Sequence, residues 1–158
     1  MPDEFRIMRM SRSEATDNFE RIVDLLYESH RMIFPSMDID RPSIVERIDR
    51  LLVHLEGGSA MLWGGFENRR LEGFLWAFER CFVGERRLHV NEFIVAKSLR
   101  GRGRGRLLLD AATAEARRLN LSAVDLLCSV HMHDTLRFYD KAGFAVERYQ
   151  LIKRLDGE

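Results

Sequence analysis

Five basic side chains, Lys97, Arg100, Arg102, Arg104 and Arg106, crowd into one stretch that holds no acidic residue, and Gly101, Gly103 and Gly105 alternate with the arginines. Glycine lacks a Cβ, so the backbone here can approach a ligand closely. The stretch lies between the apolar triplets Phe93-Ile94-Val95 and Leu107-Leu108-Leu109, where a strand gives way to a helix. Unpaired amides and the positive dipole end at a helix start bind phosphate or pyrophosphate, and arginines add charge-assisted hydrogen bonds. A P-loop needs a Gly-Lys-Ser or Gly-Lys-Thr step, which is missing. A Rossmann fingerprint needs G-x-G-x-x-G at the start of a βαβ unit, whereas this run is G-x-G-x-G after an antiparallel meander. RNA-gripping arginine-glycine segments are long, polar and disordered, unlike this short run between apolar flanks. A solvated basic turn without a ligand stays open as the plain structural alternative.

Other polar residues offer less. His131-Met132-His133 has no third ligand cluster near it in sequence, so a polar loop is expected and no metal. His30 and His54 fall near helix ends, where they would meet the dipole. Trp63 and Trp76 read as core or cleft wall. Cys81 and Cys128 are too few for a disulfide scaffold and are not spaced as a zinc site, so both read as small core residues.

The elements that must hold this cradle follow from periodicity. The 158 residues are expected to form a single domain over 1–158. The 25 Lys+Arg balance the 25 Asp+Glu, which removes any global drive toward nucleic acid or an anionic membrane. The N-terminal residues lack a signal-peptide pattern and no apolar run would span a bilayer, so a cytoplasmic protein is expected. Phe5 to Met10 reads as a strand. A helix follows from Asp17 to about Ile33, with Asp17 and Glu20 as a capping box, and a second runs to Leu55 behind Ser43 and Glu46. Ala60 to Phe66, Leu71 to Glu79 and Arg87 to Val95 read as a meander of three strands. The cradle helix is expected from Arg106 to Leu119 with Asn120 as a left-handed cap, then a strand from Ala123 to Cys128. Asp134 should cap a short helix ending at Gly143, and Phe144 to Leu155 reads as a last strand.

The stretch from Phe93 to Leu109 resembles the acetyl-CoA motif of the GNAT family of N-acetyltransferases, a strand followed by Arg/Gln-x-x-Gly-x-Gly/Ala and a helix. Arg100, Gly103 and Gly105 take its three defining positions, and Val95 takes its apolar strand position. Phe138-Tyr139-Asp140-Lys141-Ala142-Gly143-Phe144 is similar to the family's downstream signature, and the order of elements matches over the whole chain. Met132, Thr135, Lys97 and Arg104 depart from the usual residues. The resemblance implies a mixed α/β fold of the GNAT acyl-CoA N-acyltransferase type, with helices on both faces and a V-shaped opening between the fourth and fifth strands. It implies acetyl-CoA as cosubstrate, with Phe93 and Val95 offering main-chain groups to the pantetheine arm. Gly101, Arg102, Gly103, Arg104, Gly105 and Arg106, with Arg100, would hold the pyrophosphate.

The activity so implied is acetyl transfer to a primary amine by direct attack in a ternary complex, with a homodimer left open. An acetyl-CoA-responsive module without turnover and an RNA-binding Arg-Gly module are the alternatives. An alkylammonium acceptor with a pKa of about 10.4 must lose a proton before it attacks. Glu92 and His89, with Asn91 as a water-positioning partner, are the candidates to take it. Strand alternation puts His89 and Glu92 on opposite sides unless a bulge intervenes. Tyr139 matches the family tyrosine that protonates the departing thiolate, against the alternative of an aromatic packed beside Phe138 and Phe144. The loop from Ile33 to Pro42 would rim the acceptor side, where Asp38 and Asp40 favour a cationic amine or serve as turn residues.

Overall fold

A computed structural model describes residues 4–156. The chain divides into two compact units, one ending at Leu127 and the other starting at Cys128. In the first unit β1 (Arg6–Arg9) leads into α1 (Arg12–Asp17), α2 (Phe19–Ile33) and α3 (Arg41–Glu56). Strands β2 (Met61–Glu67), β3 (Arg70–Phe82) and β4 (Glu85–Val95) follow, then a single 3-10 turn at Lys97–Leu99, α4 (Arg104–Arg118) and β5 (Ala123–Leu126). The second unit contains α5 (His133–Lys141).

The helix starts differ from those read off the sequence. Ser11 and Glu14 make the capping box, with Ser11 Oγ accepting from the Glu14 amide, so the short α1 precedes the expected helix. Asp40 caps α3 by accepting from the Ser43 amide at 2.7 Å; Ser43 is therefore the donor side of the cap instead of the cap itself. Asp134 lies inside the first turn of α5, where it pairs with Arg137, and the N-cap position is Met132. At α3 a carboxylate and a hydroxyl one turn apart could serve the same helix start, and periodicity alone does not choose between them. Asn120 does take the left-handed conformation, with φ 56°.

The sheet order is β1-β2-β3-β4-β5, antiparallel through β4 and parallel between β4 and β5. Asn68 and Arg69, both at positive φ, turn β2 into β3, and Val83 with Gly84 turn β3 into β4 in the same way. Phe74, Trp76 and Ile94 pack on one face against Ile22, Val23 and Leu26 of α2 and Ile44, Ile48 and Leu51 of α3. The opposite face carries α4: a Cβ built on Gly73, next to Phe74, would lie 3.3 Å from Leu108. Helices thus cover both faces, as the alternation of the strands requires.

Phe144 to Leu155 forms no strand among the described residues. Val146, Tyr149, Leu151, Ile152 and Leu155 of this segment are exposed. Apolar spacing supplies a strand's side chains but no ladder partner, and without a partner the expected last strand does not form.

Candidate functional site

The parallel pairing of β4 with β5 runs from Arg87 opposite Ala123 to Val90 opposite Leu126 and stops there. β4 continues through Val95, so the edge of Asn91 to Val95 that would face β5 has no strand beside it among the described residues. Phe93 and Val95 lie on this stretch past the last β4–β5 pair, where main-chain groups can pair with an extended ligand. The Val95 carbonyl accepts a 3.1 Å hydrogen bond from Arg100 Nε, which folds the start of the cradle back onto the strand end. Arg100 also reaches Met32 Sδ of α2 at 3.8 Å.

Within the cradle, Gly101 and Gly103 both sit in the left-handed region, at φ 77° and 75°. A Cβ on either would meet no atom within 4 Å, so conformation and open space, not packing, select glycine here. Gly103 is the N-cap residue of α4 and no side chain caps that helix, which leaves its leading amides to an external acceptor. α4 begins two residues before its expected start, so Gly105 and Arg106 stand in its first turn. Arg102 and Arg106 are half exposed, the latter 2.9 Å from Asp110. Arg104 behaves differently: its guanidinium lies 3.2 Å from Glu67 of β2 and over the Phe5 ring at 5.2 Å. Glu67 outcompetes water for the cation because both groups are mostly buried.

A bulge orders the polar residues of β4. Trp76 pairs with Glu92 and Ala77 with Val90, so Asn91 is the extra residue. Directly opposed residues share a face, which puts Glu92 with Trp76 and, through the Phe78 pairing, His89 on that same face. Plain alternation would have separated them.

Glu92, 9% exposed, lies under α2 and α3. Its Oε1 accepts from Arg47 Nε at 2.8 Å and Nη2 at 2.7 Å, and His30 Nε2 stands 3.1 and 3.2 Å from its two oxygens. Arg47 also covers the Trp76 ring at 5.4 Å. His30 thus meets a carboxylate, in addition to the helix end read from sequence. His30 and Arg47 were missed as site residues, yet a signal existed: His30 follows Leu26 by four residues and Arg47 follows Ile44 by three, so both fall on inward stripes.

His89 is held by a different acid. Its Nδ1 is 2.8 Å from Asp125 Oδ1, and Arg80 and Arg87 reach Asp125 Oδ2 at 2.6 and 3.3 Å. Burial works to raise the Asp125 carboxyl, but the hydrogen bonds from Arg80 and His89 and the charge of Arg80 outweigh it and hold the group below its usual range. Asp125 had no sequence signal; only the parallel register places it beside His89.

Two cavities flank α2. One, of about 440 Å³, is lined by Arg21, Glu28, Glu72 and the Ala96 to Ser98 segment that enters the cradle. The other, of about 350 Å³, is lined by Tyr27, Arg31, Pro35, Met37, Asp38 and Ile39. Asp38 therefore lines an opening while Asp40 is committed to its cap.

In the second unit Tyr139 is buried, with its ring edge-on to Phe138 and Phe144 at 5.4 and 5.5 Å. Burial, helped by the nearby Cys128 thiol, raises the phenol above its ordinary range. The same desolvation raises Cys128. Among the described residues no cluster of three or more His, Cys, Asp or Glu side chains could hold a metal, and no helix is long and apolar enough to cross a membrane.

Residues 20–144 match the family model described as "Acetyltransferase (GNAT) family". A Bacillus subtilis (strain 168) protein named as an uncharacterized N-acetyltransferase, YhdJ, is 32% identical over 105 residues, spanning 65% of this chain and 73% of that protein. Glucosamine-6-phosphate N-acetyltransferase from Arabidopsis thaliana superposes with a TM-score of 0.71 at 17% identity, covering 98% of this chain and 100% of its own. An aminoglycoside N-acetyltransferase solved with CoA, AAC(6')-Iy, gives a TM-score of 0.75 at 14% identity, covering 99% and 98%. At these identities the two structures show a shared fold.

Proposed function

The chain belongs to the acetyltransferase (GNAT) family, and from that premise we propose that it moves an acetyl group from acetyl-CoA to a primary amine by direct attack in a ternary complex. One observation carries the cofactor half of this reading: a helix start without a side-chain cap, entered through two left-handed glycines that face open space, follows by one 3-10 turn a strand that runs on past its last pair with β5. Such a turn offers amides to a diphosphate without a Cβ in the way, and the free edge takes the pantetheine amides. Phe93 and Val95 supply the edge. The amides of Gly101 to Arg106 hold the diphosphate, with Arg102 and Arg106 as the side chains free to turn toward it. Arg100 shapes the turn through the Val95 carbonyl, and Arg104 contributes its amide alone.

On the acceptor side, Glu92 with His89 forms the polar row of β4, brought to one face by the bulge at Asn91. Glu92 is the candidate group for drawing the proton from the ammonium, directly or through water. His89 is the second candidate, its ring oriented by Asp125. The cavity beside Asp38 and Tyr27 supports a cationic amine with an apolar body as acceptor. Tyr139 is the donor to the departing thiolate. Its raised pKa keeps the proton on, and makes full transfer to a thiolate costlier than the about 2 kcal/mol that reference values give. Its role is therefore a hydrogen bond that strengthens as charge builds on sulfur.

Calorimetry with acetyl-CoA and thiol release with a panel of amines test the reading together. Saturable acetyl-CoA binding with amine-dependent thiol release is expected. Binding without release for any amine would leave only the acetyl-CoA-responsive module.

A further inference from the structure

Glu92, the candidate for drawing the proton, is in contact with a second group that can take it. Glu92 Oε1 already takes two hydrogen bonds from Arg47, from Nε at 2.8 Å and Nη2 at 2.7 Å. His30 stands on the same carboxylate through Nε2. An Nε2 that faces a carboxylate carries the proton, which leaves the lone pair on Nδ1. Among the described residues Nδ1 of His30 has no hydrogen-bond partner. It is also absent from the fully buried unpaired nitrogens, which are Trp76 Nε1, Arg80 Nε and Arg104 Nε. So the basic nitrogen of His30 reaches solvent while its opposite nitrogen is fixed.

Trp76 adds an independent sign of a ligand. It is 6% exposed, it pairs with Glu92 across the ladder, and its indole N–H has no acceptor in the protein. A buried donor left unpaired is costly, and a water or a substrate oxygen on this face would offset that cost.

The structure assigns the proton-accepting role to His30, with Glu92 as its positioning carboxylate and Arg47 as the side chain that holds Glu92 in place. This rests on the acetyltransferase reading and deepens it. The ammonium gives one proton to Nδ1, directly or through one water, producing a neutral amine and an imidazolium compensated by Glu92. The amine lone pair then forms the C–N bond, the C–S bond breaks and the thiolate leaves with the bonding electrons, and the acylated nitrogen gives up its second proton, which the thiolate takes up directly or through water. The imidazolium returns its proton to solvent. The charged group on the ring is Glu92 from β4, which Arg47 of α3 also holds, and the ring packs on Phe34.

The test uses the full chain with an amine that the wild type acetylates. His30→Gln is expected to lower kcat by roughly 10²-fold, to abolish the acid limb of the kcat/KM profile, and to leave acetyl-CoA affinity within about twofold. Glu92→Gln should lower kcat less and keep that limb, displaced. An acid limb that survives His30→Gln but vanishes in Glu92→Gln returns the role to Glu92 and overturns the inference. Should the variant fail to fold, nitrogen-15 NMR of histidine in the wild type decides: an Nε2–H tautomer is expected for His30, and an Nδ1–H tautomer overturns it. A wild type that binds acetyl-CoA and acetylates no amine would instead defeat the acetyltransferase reading itself.

Discussion

Gly103→Ala places a methyl group at φ 75°, where no protein atom lies within 4 Å of the new Cβ. The cost to the fold is then conformational. A left-handed L-residue loses roughly 1–2 kcal/mol, and the stiffer unfolded chain returns about 0.4–1 kcal/mol of it. A net loss near 1 kcal/mol lowers Tm by about 2–4 °C in a domain of this size. Gly84 provides a matched control, because it sits at φ 85° in the β3–β4 turn and its Cβ would likewise meet nothing. Gly84→Ala should show the same Tm shift. The two differ in what approaches them: at Gly103 the methyl stands where a diphosphate must come close to the amides of α4. Losing one charge-assisted hydrogen bond there costs about 1.5–3 kcal/mol, or roughly tenfold to a hundredfold in acetyl-CoA Kd. Differential scanning calorimetry and titration calorimetry on both variants give the comparison. Equal Tm losses with unchanged acetyl-CoA affinity in Gly103→Ala would refute the cradle as the diphosphate site.

Tyr139→Phe should lower kcat by roughly 10²-fold with acetyl-CoA affinity intact, and steady-state kinetics would show it. Because the folded phenol titrates above the unfolded one, wild-type stability should fall as pH rises past about 10, and the variant should lose that part of the decline in chemical denaturation at alkaline pH. Asp125 is held low in the folded state, so its contribution is present above the unfolded carboxyl range and fades as pH drops through it. Asp125→Asn, which weakens the contacts of Arg80, Arg87 and His89, should flatten the acid side of the stability curve measured by denaturant titration. Arg104→Ala should cost about 1–2 kcal/mol through lost pairing with Glu67 and lost packing on Phe5, yet leave acetyl-CoA Kd within about twofold.

The cradle was legible in sequence because its signal is local: alternating glycines, clustered arginines and the change from strand to helix lie within one stretch. The helices and the meander were legible for the same reason, since their periodicity is written in neighbouring residues. Their caps were less so, because Asp17, Ser43 and Asp134 satisfy the pattern while Asn18, Asp40 and Met132 hold the positions. The expected strand from Phe144 to Leu155 failed on a non-local requirement, a neighbouring edge with which to pair. Partners such as Asp125 for His89 and Arg47 for Glu92 depend on register and on helix docking, and no short-range pattern encodes either.

The single extra residue at Asn91 shows how much a non-local detail decides. Without it, Glu92 and His89 would have the parity of ordinary alternation and point to opposite faces of the sheet. With it, both share one face, but each meets a different environment: His89 falls where β5 still pairs and is taken up by Asp125, whereas Glu92 falls past the last pair. There the sheet no longer supplies a neighbour, and the partners come instead from His30 and Arg47 on the helices. The bulge and the end of the β4–β5 ladder are thus one device. It turns a carboxylate from the strand toward the helices at the position where the strand edge opens, which is where an acyl donor lying along that edge would present its thioester to an amine.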